Sequence, residues 1–140
     1  MRKSIIIASI VLFGAALVGL ALVQNDTSPG FPNISVAELR EKLDLEADLI
    51  LLDVRTQAEW DGPLGHLEGA RLIPLQALSK RYRELESVRN KEIVVYCRSG
   101  NRSQVATVLL REKGFNAINM LGGMRAWNQL GKPQTSEVKK

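Results

Sequence analysis

The chain has 140 residues, enough for one domain with a hydrophobic core and too few for two domains of ordinary size. Its 19 basic residues exceed its 15 acidic residues by four, and two of the basic residues, Arg2 and Lys3, precede the expected folded part. The remaining 17 basic and 15 acidic residues give a net charge of +2, which is too small for a nucleic-acid-binding surface. The chain has a single cysteine, Cys97, so an internal disulfide is excluded.

An apolar run without charge covers residues 5–23, directly after Arg2 and Lys3. Its 19 residues, at about 1.5 Å each in a helix, nearly span a hydrocarbon core of about 30 Å. We therefore predict that residues 1–23 are a signal anchor that binds the membrane, or a signal peptide cleaved after Ala21. In both cases the positive-inside rule predicts an extracytoplasmic domain, periplasmic if the source is bacterial.

The folded domain is predicted over residues 34–132. The polar segment 24–33, with two prolines and one glycine, is predicted to be a linker, and residues 133–140 a polar tail. Ser35 and Glu38 form a capping box ahead of apolar residues at helical spacing, which predicts a first helix that ends near Asp44.

Apolar and β-branched runs predict buried strands at 49–52, 70–73, 93–96 and 116–120. Helical turns are expected between them, and Thr56 with Glu59 is predicted to start one of these as a second capping box. Val105, Val108 and Leu109 are predicted to form the buried face of a later helix. Strands that alternate with helices indicate an α/β fold, with a parallel sheet of four to five strands flanked by helices. Ligands of such sheets bind beyond the carboxyl ends of the strands, where Asp53 and Cys97 are expected.

The loop CRSGNRS, which begins with Cys97, joins a buried strand to the N-terminus of a helix. Backbone N–H groups there lack intrahelical partners and can stabilise an anion. Gly100 and Asn101 tolerate left-handed backbone conformations, so the loop can curl until its amides converge. With Arg98 and Arg102 close by, the thiolate is favoured, and pKa values of roughly 3.5 to 7.5 are typical of such thiols. We expect Cys97 to be a nucleophile.

Three ordered segments resemble the rhodanese sulfurtransferases. CRSGNRS after IVVY is similar to their active-site loop, LLDVRTQAEWDGPLGHLEGARLIP to the start of their fold, and GFNAINMLGGMRAW to its end. The resemblance covers residues 34–132 and implies the family's parallel sheet flanked by helices. It implies that Cys97 carries a persulfide, with no metal or organic cofactor. The residues it implies for binding the outer sulfur are Arg98, Ser99, Gly100, Asn101, Arg102 and Ser103.

The resemblance also implies a two-step exchange. The Cys97 thiolate attacks the outer sulfur of a small anionic donor such as thiosulfate and later passes it to a thiol or cyanide. A polysulfide or the persulfide of a partner protein would suit the same charges. Asp53 and Arg55 match the family's Asp-Val-Arg segment and are expected to support the site as an ion pair. His66, the only histidine, is assigned a structural role.

Two other functions remain open from the sequence. Protein phosphatases and arsenate reductases of a related fold have five residues between cysteine and arginine, whereas four separate Cys97 from Arg102. Ser103 takes the position of that arginine, so a phosphate would lose its bidentate partner. The second alternative is a binding or redox module, tethered at the membrane, in which sulfur transfer is incidental.

Overall fold

The computed structural model describes residues 30–131. Its strands are β1 (Asn33–Ile34), β2 (Leu49–Asp53), β3 (Arg71–Leu72), β4 (Glu92–Tyr96) and β5 (Asn116–Met120). They form one parallel sheet in the order β1-β5-β4-β2-β3. The helices are α1 (Val36–Asp44), α2 (Gln57–Trp60), α3 (Leu75–Arg81), α4 (Asn101–Glu112) and α5 (Gly123–Leu130), and a 3₁₀ helix, Tyr82–Val88, follows α3. The predicted α/β fold with a parallel sheet flanked by helices is confirmed.

Side chains of the sheet alternate between two cores, one on each face. On β4, Ile93 and Val95 point to the first core, which Cys97 joins, while Val94 and Tyr96 point to the second. Helices α3 and α4 and the 3₁₀ helix cover the first face, and α1 and α5 cover the second. Because both faces are buried, the central strands β2 and β4 are apolar along most of their length rather than alternating with polar residues.

Two capping boxes start helices as the sequence predicts. In α1, the Ser35 hydroxyl accepts from the backbone N–H of Glu38, whose carboxylate accepts from the backbone N–H of Ser35. Thr56 and Glu59 repeat this arrangement at the start of α2. The second box fixes Glu59 at the first turn after β2, at the carboxyl edge of the sheet.

The buried face of α4 differs from the prediction. Val105 and Val108 are 58% and 43% exposed, and Leu109 is half-buried. The residues that face the sheet are Ser103, Ala106, Thr107 and Leu110. Small residues let the first turns of α4 approach the sheet closely, and the Thr107 hydroxyl is satisfied by donating to the carbonyl of Ser103 at 2.8 Å. Apolar spacing alone therefore selected the wrong face.

At the edge of the sheet, β1 was not predicted. It pairs with β5 over two residues, Asn33 with Asn119 and Ile34 with Met120. A two-residue strand next to Pro32 shows no periodicity, so the predicted boundary at residue 34 falls inside it. Among residues 30–131 no helix has the length and apolar character needed to span a membrane. The predicted signal segment 1–23 and the polar tail from 133 lie outside the described residues.

Candidate functional site

Cys97 lies at the carboxyl end of β4, between the last residue of that strand and the loop that leads into α4. Its side chain is fully buried. The sulfur accepts a hydrogen bond from the backbone N–H of Gly100 at 3.1 Å, and the Ser103 hydroxyl lies 3.4 Å away. The loop therefore curls around the sulfur with its donors pointing inward.

Two opposing effects act on the pKa of Cys97. Burial removes the thiolate from water and raises the pKa, which is the largest single effect. Hydrogen bonds from the Ser103 hydroxyl and from the backbone N–H groups of Ser103, Ser99 and Gly100 lower it. Together these donors outweigh burial, so the pKa of Cys97 lies below its ordinary value. The site stabilises an anionic sulfur without a neighbouring base.

Gly100 gives the loop its shape. It has a φ of +101°, in the left-handed region, and it precedes the first residue of α4. A side chain would be strained at this φ, and its Cβ would lie 3.3 Å from the backbone nitrogen of Gly122. The expectation of a left-handed Gly100 is confirmed, whereas Asn101 is the first helical residue of α4.

The N-terminus of α5 is hydrogen-bonded to the same loop. The backbone N–H groups of Met124 and Arg125 donate to the carbonyls of Cys97 and Arg98 at 2.9 and 3.0 Å. Gly123 has a φ of +55°, and a Cβ there would collide with the carbonyl oxygen of Cys97. The glycine pair in the segment LGG thus permits the close approach of α5, which holds the back of the loop.

The guanidinium of Arg102 is held by Glu59. The two side chains form a bidentate ion pair, with Nη1 to Oε2 at 2.7 Å and Nη2 to Oε1 at 2.6 Å. This pair, together with the cap bond to Thr56, lowers the pKa of Glu59 to about 2, although burial opposes the shift. The guanidinium of Arg102 therefore connects α4 to α2. The sequence predicts a capping role for Glu59, and no pattern in it indicates the ion pair with Arg102.

Arg98 is exposed, and its side chain makes no hydrogen bond or ion pair within the described part of the chain. It lies beside a cleft of about 220 Å³, here called the rim cleft. The other residues that line the rim cleft are Arg55, Ala58, Glu59, Gly62, Pro63 and Leu64. Three of these belong to the segment 61–64. A cationic group at an otherwise mostly apolar cleft suits a ligand with a negative charge.

Asp53 and Arg55 form a fully buried ion pair below the rim cleft. Nε of Arg55 donates to both carboxylate oxygens at 3.0 Å, and Nη2 donates to Oδ2 at 2.7 Å and to the carbonyl of Gly65 at 2.7 Å. These bonds tie the end of β2 to the loop that carries the segment 61–64. The pair supports the loop, and Nη1 of Arg55 is buried with no hydrogen-bond partner among the described residues.

Like Arg98, two further side chains of the predicted set, Ser99 and Asn101, are exposed. Ser99 contributes its backbone N–H to the sulfur. His66 is stacked on Trp60 at a centroid distance of 3.7 Å, and its Nδ1 lies 3.2 Å from the carbonyl oxygen of Trp60. These contacts are those of a residue that packs a loop, and none of them joins His66 to Cys97.

Sequence reasoning missed Asn119 on β5. Its side chain is 3% exposed, and its Oδ1 lies 2.6 Å from the hydroxyl of Ser103. Its Nδ2 donates to Oδ1 of Asn33 on β1 at 2.9 Å. A polar chain, exposed at Asn33 and buried at Asn119 and Ser103, therefore runs from the edge strand to the sulfur of Cys97. The signal that the sequence offered was a polar residue within a strand predicted to be buried.

Comparisons with known proteins agree with this geometry. The Rhodanese-like domain matches residues 35–130. A sulfurtransferase of Allochromatium vinosum is 33% identical over 71% of this chain and 91% of its own length. A candidate sulfur carrier protein of Bacillus subtilis, YrkF, is 36% identical over 74% of this chain, which spans about half (54%) of that relative. The crystal structure of a rhodanese-related protein from Thermoplasma volcanium matches with a TM-score of 0.64 and 31% identity, over 74% of this chain and 96% of that one.

Proposed function

The chain belongs to the rhodanese-like family, and on that premise we propose that it is a sulfurtransferase acting through a persulfide on Cys97. The donor is a thiosulfate-like anion or a persulfide, and the acceptor is a thiol or cyanide. The observation that carries the proposal is the Cys97 sulfur itself, which faces the backbone N–H of Gly100 and the Ser103 hydroxyl. Such donors stabilise a thiolate before the reaction and a persulfide anion after it.

In the first half-reaction, the Cys97 thiolate attacks the outer sulfur of the donor. A new S–S bond forms at Cys97, the S–S bond of thiosulfate breaks, and sulfite leaves with the electron pair. The negative charge moves by one atom, from the Cys97 sulfur to the outer sulfur. The loop amides then lie around that outer sulfur, so the charge stays within reach of the same donors.

In the second half-reaction, an acceptor thiolate or cyanide attacks the outer sulfur. The persulfide S–S bond breaks, and the Cys97 thiolate is regenerated while the acceptor leaves with the sulfur. Cys97 returns to its starting oxidation state over the two steps, because the donor's sulfane sulfur oxidises the acceptor that receives it and no further oxidant or reductant is needed. The lowered pKa of Cys97 assists this step because it makes Cys97 a better leaving group.

The ion pair of Arg102 with Glu59 is an argument for sulfur rather than phosphate as the group transferred. A phosphatase of the related fold needs a guanidinium that closes on the phosphate oxygens. Here the guanidinium is occupied on both nitrogens by Glu59. The donors left around Cys97 are amides and one hydroxyl, which suit a single large polarisable atom. We therefore do not propose phosphatase activity.

Arg98 and the rim cleft favour a donor with a negative charge. The two other arginines beside the loop, Arg55 and Arg102, are neutralised by carboxylates. Arg98 and Arg125 have no carboxylate partner within residues 30–131, and of these two Arg98 lines the rim cleft. Because Arg98 is exposed, its attraction is long-range and depends on salt, which suits the capture of an anion from solution.

The test measures transfer with matched variants. The full chain is incubated with thiosulfate and cyanide, and thiocyanate formation is compared between wild type and Cys97→Ser. The same pair is assayed with a polysulfide and with an organic persulfide. We expect transfer with at least one donor by wild type and none by Cys97→Ser, with a stoichiometric persulfide on Cys97 seen by mass spectrometry after the donor alone. If wild type is as inactive as Cys97→Ser with every donor, the chain is a binding or redox module instead.

We also propose that the domain is extracytoplasmic, with residues 5–23 as an anchor or a cleaved signal. The support is the charge-free run that follows Arg2 and Lys3. Mass spectrometry of the protein from its native cells tests this, because it reports the N-terminal residue. An intact N-terminus in the membrane fraction indicates an anchor, and a new N-terminus at residue 22 indicates cleavage. An intact chain in the cytoplasmic fraction would overturn the proposal.

A further inference from the structure

A chain of amide hydrogen bonds fixes which atom of Asn119 faces the Ser103 hydroxyl. The carbonyl oxygen of Phe31 can only accept, so Nδ2 of Asn33 faces it at 3.1 Å. The Oδ1 of Asn33 therefore accepts from Nδ2 of Asn119, at 2.9 Å. The remaining atom, Oδ1 of Asn119, is the one that faces Ser103 at 2.6 Å. Asn119 thus presents an acceptor to the hydroxyl.

The Ser103 hydroxyl has one proton to donate and three acceptors within reach. Besides Asn119, these are the carbonyl oxygen of Gly100 at 3.0 Å and the sulfur of Cys97 at 3.4 Å. The contact to Asn119 is the shortest, so the proton points there while Cys97 is a thiol. When Cys97 ionises, the sulfur becomes a charged acceptor and draws the same proton.

We propose that Asn119 is a positioning residue of the sulfur-transfer site, which competes with the Cys97 sulfur for the proton of Ser103. This proposal rests on the proposed function, in which Cys97 is the nucleophile. Asn119 is buried, so its Oδ1 finds no water when the hydroxyl turns to the sulfur. An unpaired buried acceptor is unfavourable, and Asn119 therefore opposes ionisation of Cys97. Because thiolate nucleophilicity falls with the pKa, this opposition preserves the reactivity of the thiolate once formed.

The charged groups around Cys97 are unchanged in every variant used below. They lie on β2, α2, the loop, α4 and α5, and they are Asp53, Arg55, Glu59, Arg98, Arg102 and Arg125. Burial raises the pKa of Tyr96, so this neighbour stays neutral through the titration of the thiol. A change in the pH profile of Cys97 then reports on the hydrogen bonds of Ser103.

The first variant, Asn119→Leu, removes the competing acceptor at nearly constant size. Ser103 then donates to the sulfur without this competition, and a gain of one charge-assisted hydrogen bond raises the thiolate fraction about tenfold at pH values below the pKa of both proteins. Each thiolate is about threefold less reactive, because nucleophilicity falls about threefold for each unit by which the pKa falls. Alkylation by iodoacetamide is therefore expected to be about threefold faster at these pH values. At alkaline pH, where both proteins are fully ionised, the variant is expected to be about threefold slower. The two pH–rate profiles therefore cross.

Ultraviolet absorbance of the thiolate measures the same titration without a reagent. The chain has one cysteine, so Cys97→Ser serves as the blank. In a Ser103→Ala background the hydroxyl is absent, and Asn119→Leu is expected to cause no further shift. A shift that persists there would show an indirect effect of Asn119. A residue that only stabilises the fold would slow alkylation at every pH or leave it unchanged.

If circular dichroism shows that Asn119→Leu does not fold, a second variant, Asn33→Ala, tests the proposal. Asn33 is exposed, so Asn33→Ala leaves the core intact. It releases Nδ2 of Asn119, which can then turn toward Ser103 and free the hydroxyl for the sulfur. We expect the same crossing of the profiles, with a smaller amplitude. Profiles that coincide with wild type or run parallel to it overturn the proposal. Absence of sulfur transfer would instead refute the proposed function, since the thiol titration does not depend on it.

Discussion

Replacement of Glu59 by glutamine tests how the loop is held. Glutamine keeps the size of the side chain and can still complete the capping box with Thr56, so the change removes mainly the charge opposite Arg102. The pKa of Glu59 falls from 4.5 to about 2 in the folded chain, chiefly through its hydrogen bond to Arg102. At about 1.4 kcal/mol per factor of ten in proton affinity, this bounds the stabilisation at about 3 kcal/mol. Glu59 and Arg102 are 28% and 31% exposed, so screening reduces the expected loss to about 2 kcal/mol.

The sign of the pH dependence follows from the lowered pKa. The stabilisation by Glu59 is complete above about pH 5, falls by roughly half near pH 3 and vanishes as the pH approaches 2. Urea unfolding of the full chain, followed by tryptophan fluorescence, measures the difference between wild type and Glu59→Gln at each pH. Glu84→Gln, in an exposed ion pair with Arg81, is the matched control and should leave stability unchanged. A difference that is absent at pH 7, or that stays constant down to pH 3, would refute this account of the pair.

Three further predictions concern the loop itself. Gly123→Ala should cost about 3 kcal/mol in urea unfolding because its Cβ meets the Cys97 carbonyl, whereas Gly69→Ala, with a similar positive φ of +72° and open space, should cost only about 1 kcal/mol. Ser103→Ala should raise the pKa of Cys97 and move the rising limb of the pH–rate profile for sulfur transfer to higher pH, and an unmoved limb would contradict the hydrogen bond to sulfur. Arg98→Ala should raise KM for thiosulfate several-fold at low salt with little change at high salt, in steady-state assays over both conditions.

Local sequence signals predicted most elements of the fold because their causes are local. Both capping boxes, at Ser35 and Thr56, start helices, and the four apolar runs are strands within a few residues of their expected bounds. Asp53 and Pro74 directly follow two of these runs, so the ends of those strands could be predicted. Cys97 could also be placed at the carboxyl edge of the sheet, since it directly follows a predicted strand and lies three residues before Gly100.

The partners of the site residues could not be predicted because they depend on tertiary contacts. Glu59 meets Arg102 across a separation of 43 residues, and Asn119 meets Asn33 across 86. Neither pair shares an element, so no periodicity links its members. The exposed face of α4 was misjudged for a related reason: the helix is held near the sheet by small residues such as Ser103, whose role is to fit and to donate.

Capture of an anionic donor and stabilisation of the Cys97 sulfur depend on different groups, because the exposed charge and the hydrogen-bond donors lie in different places. The donors that reach Cys97 are backbone amides and the Ser103 hydroxyl, all within the loop and out of water. The guanidiniums of Arg55 and Arg102 are held by carboxylates, and Arg98 lies in solvent. Salt and surface mutations should therefore change how fast an anionic donor arrives, while the protonation state of Cys97 should respond mainly to its burial and its buried hydrogen bonds. That division predicts that substitutions at Arg98 alter KM, and that substitutions along the Ser103 network alter the pH profile.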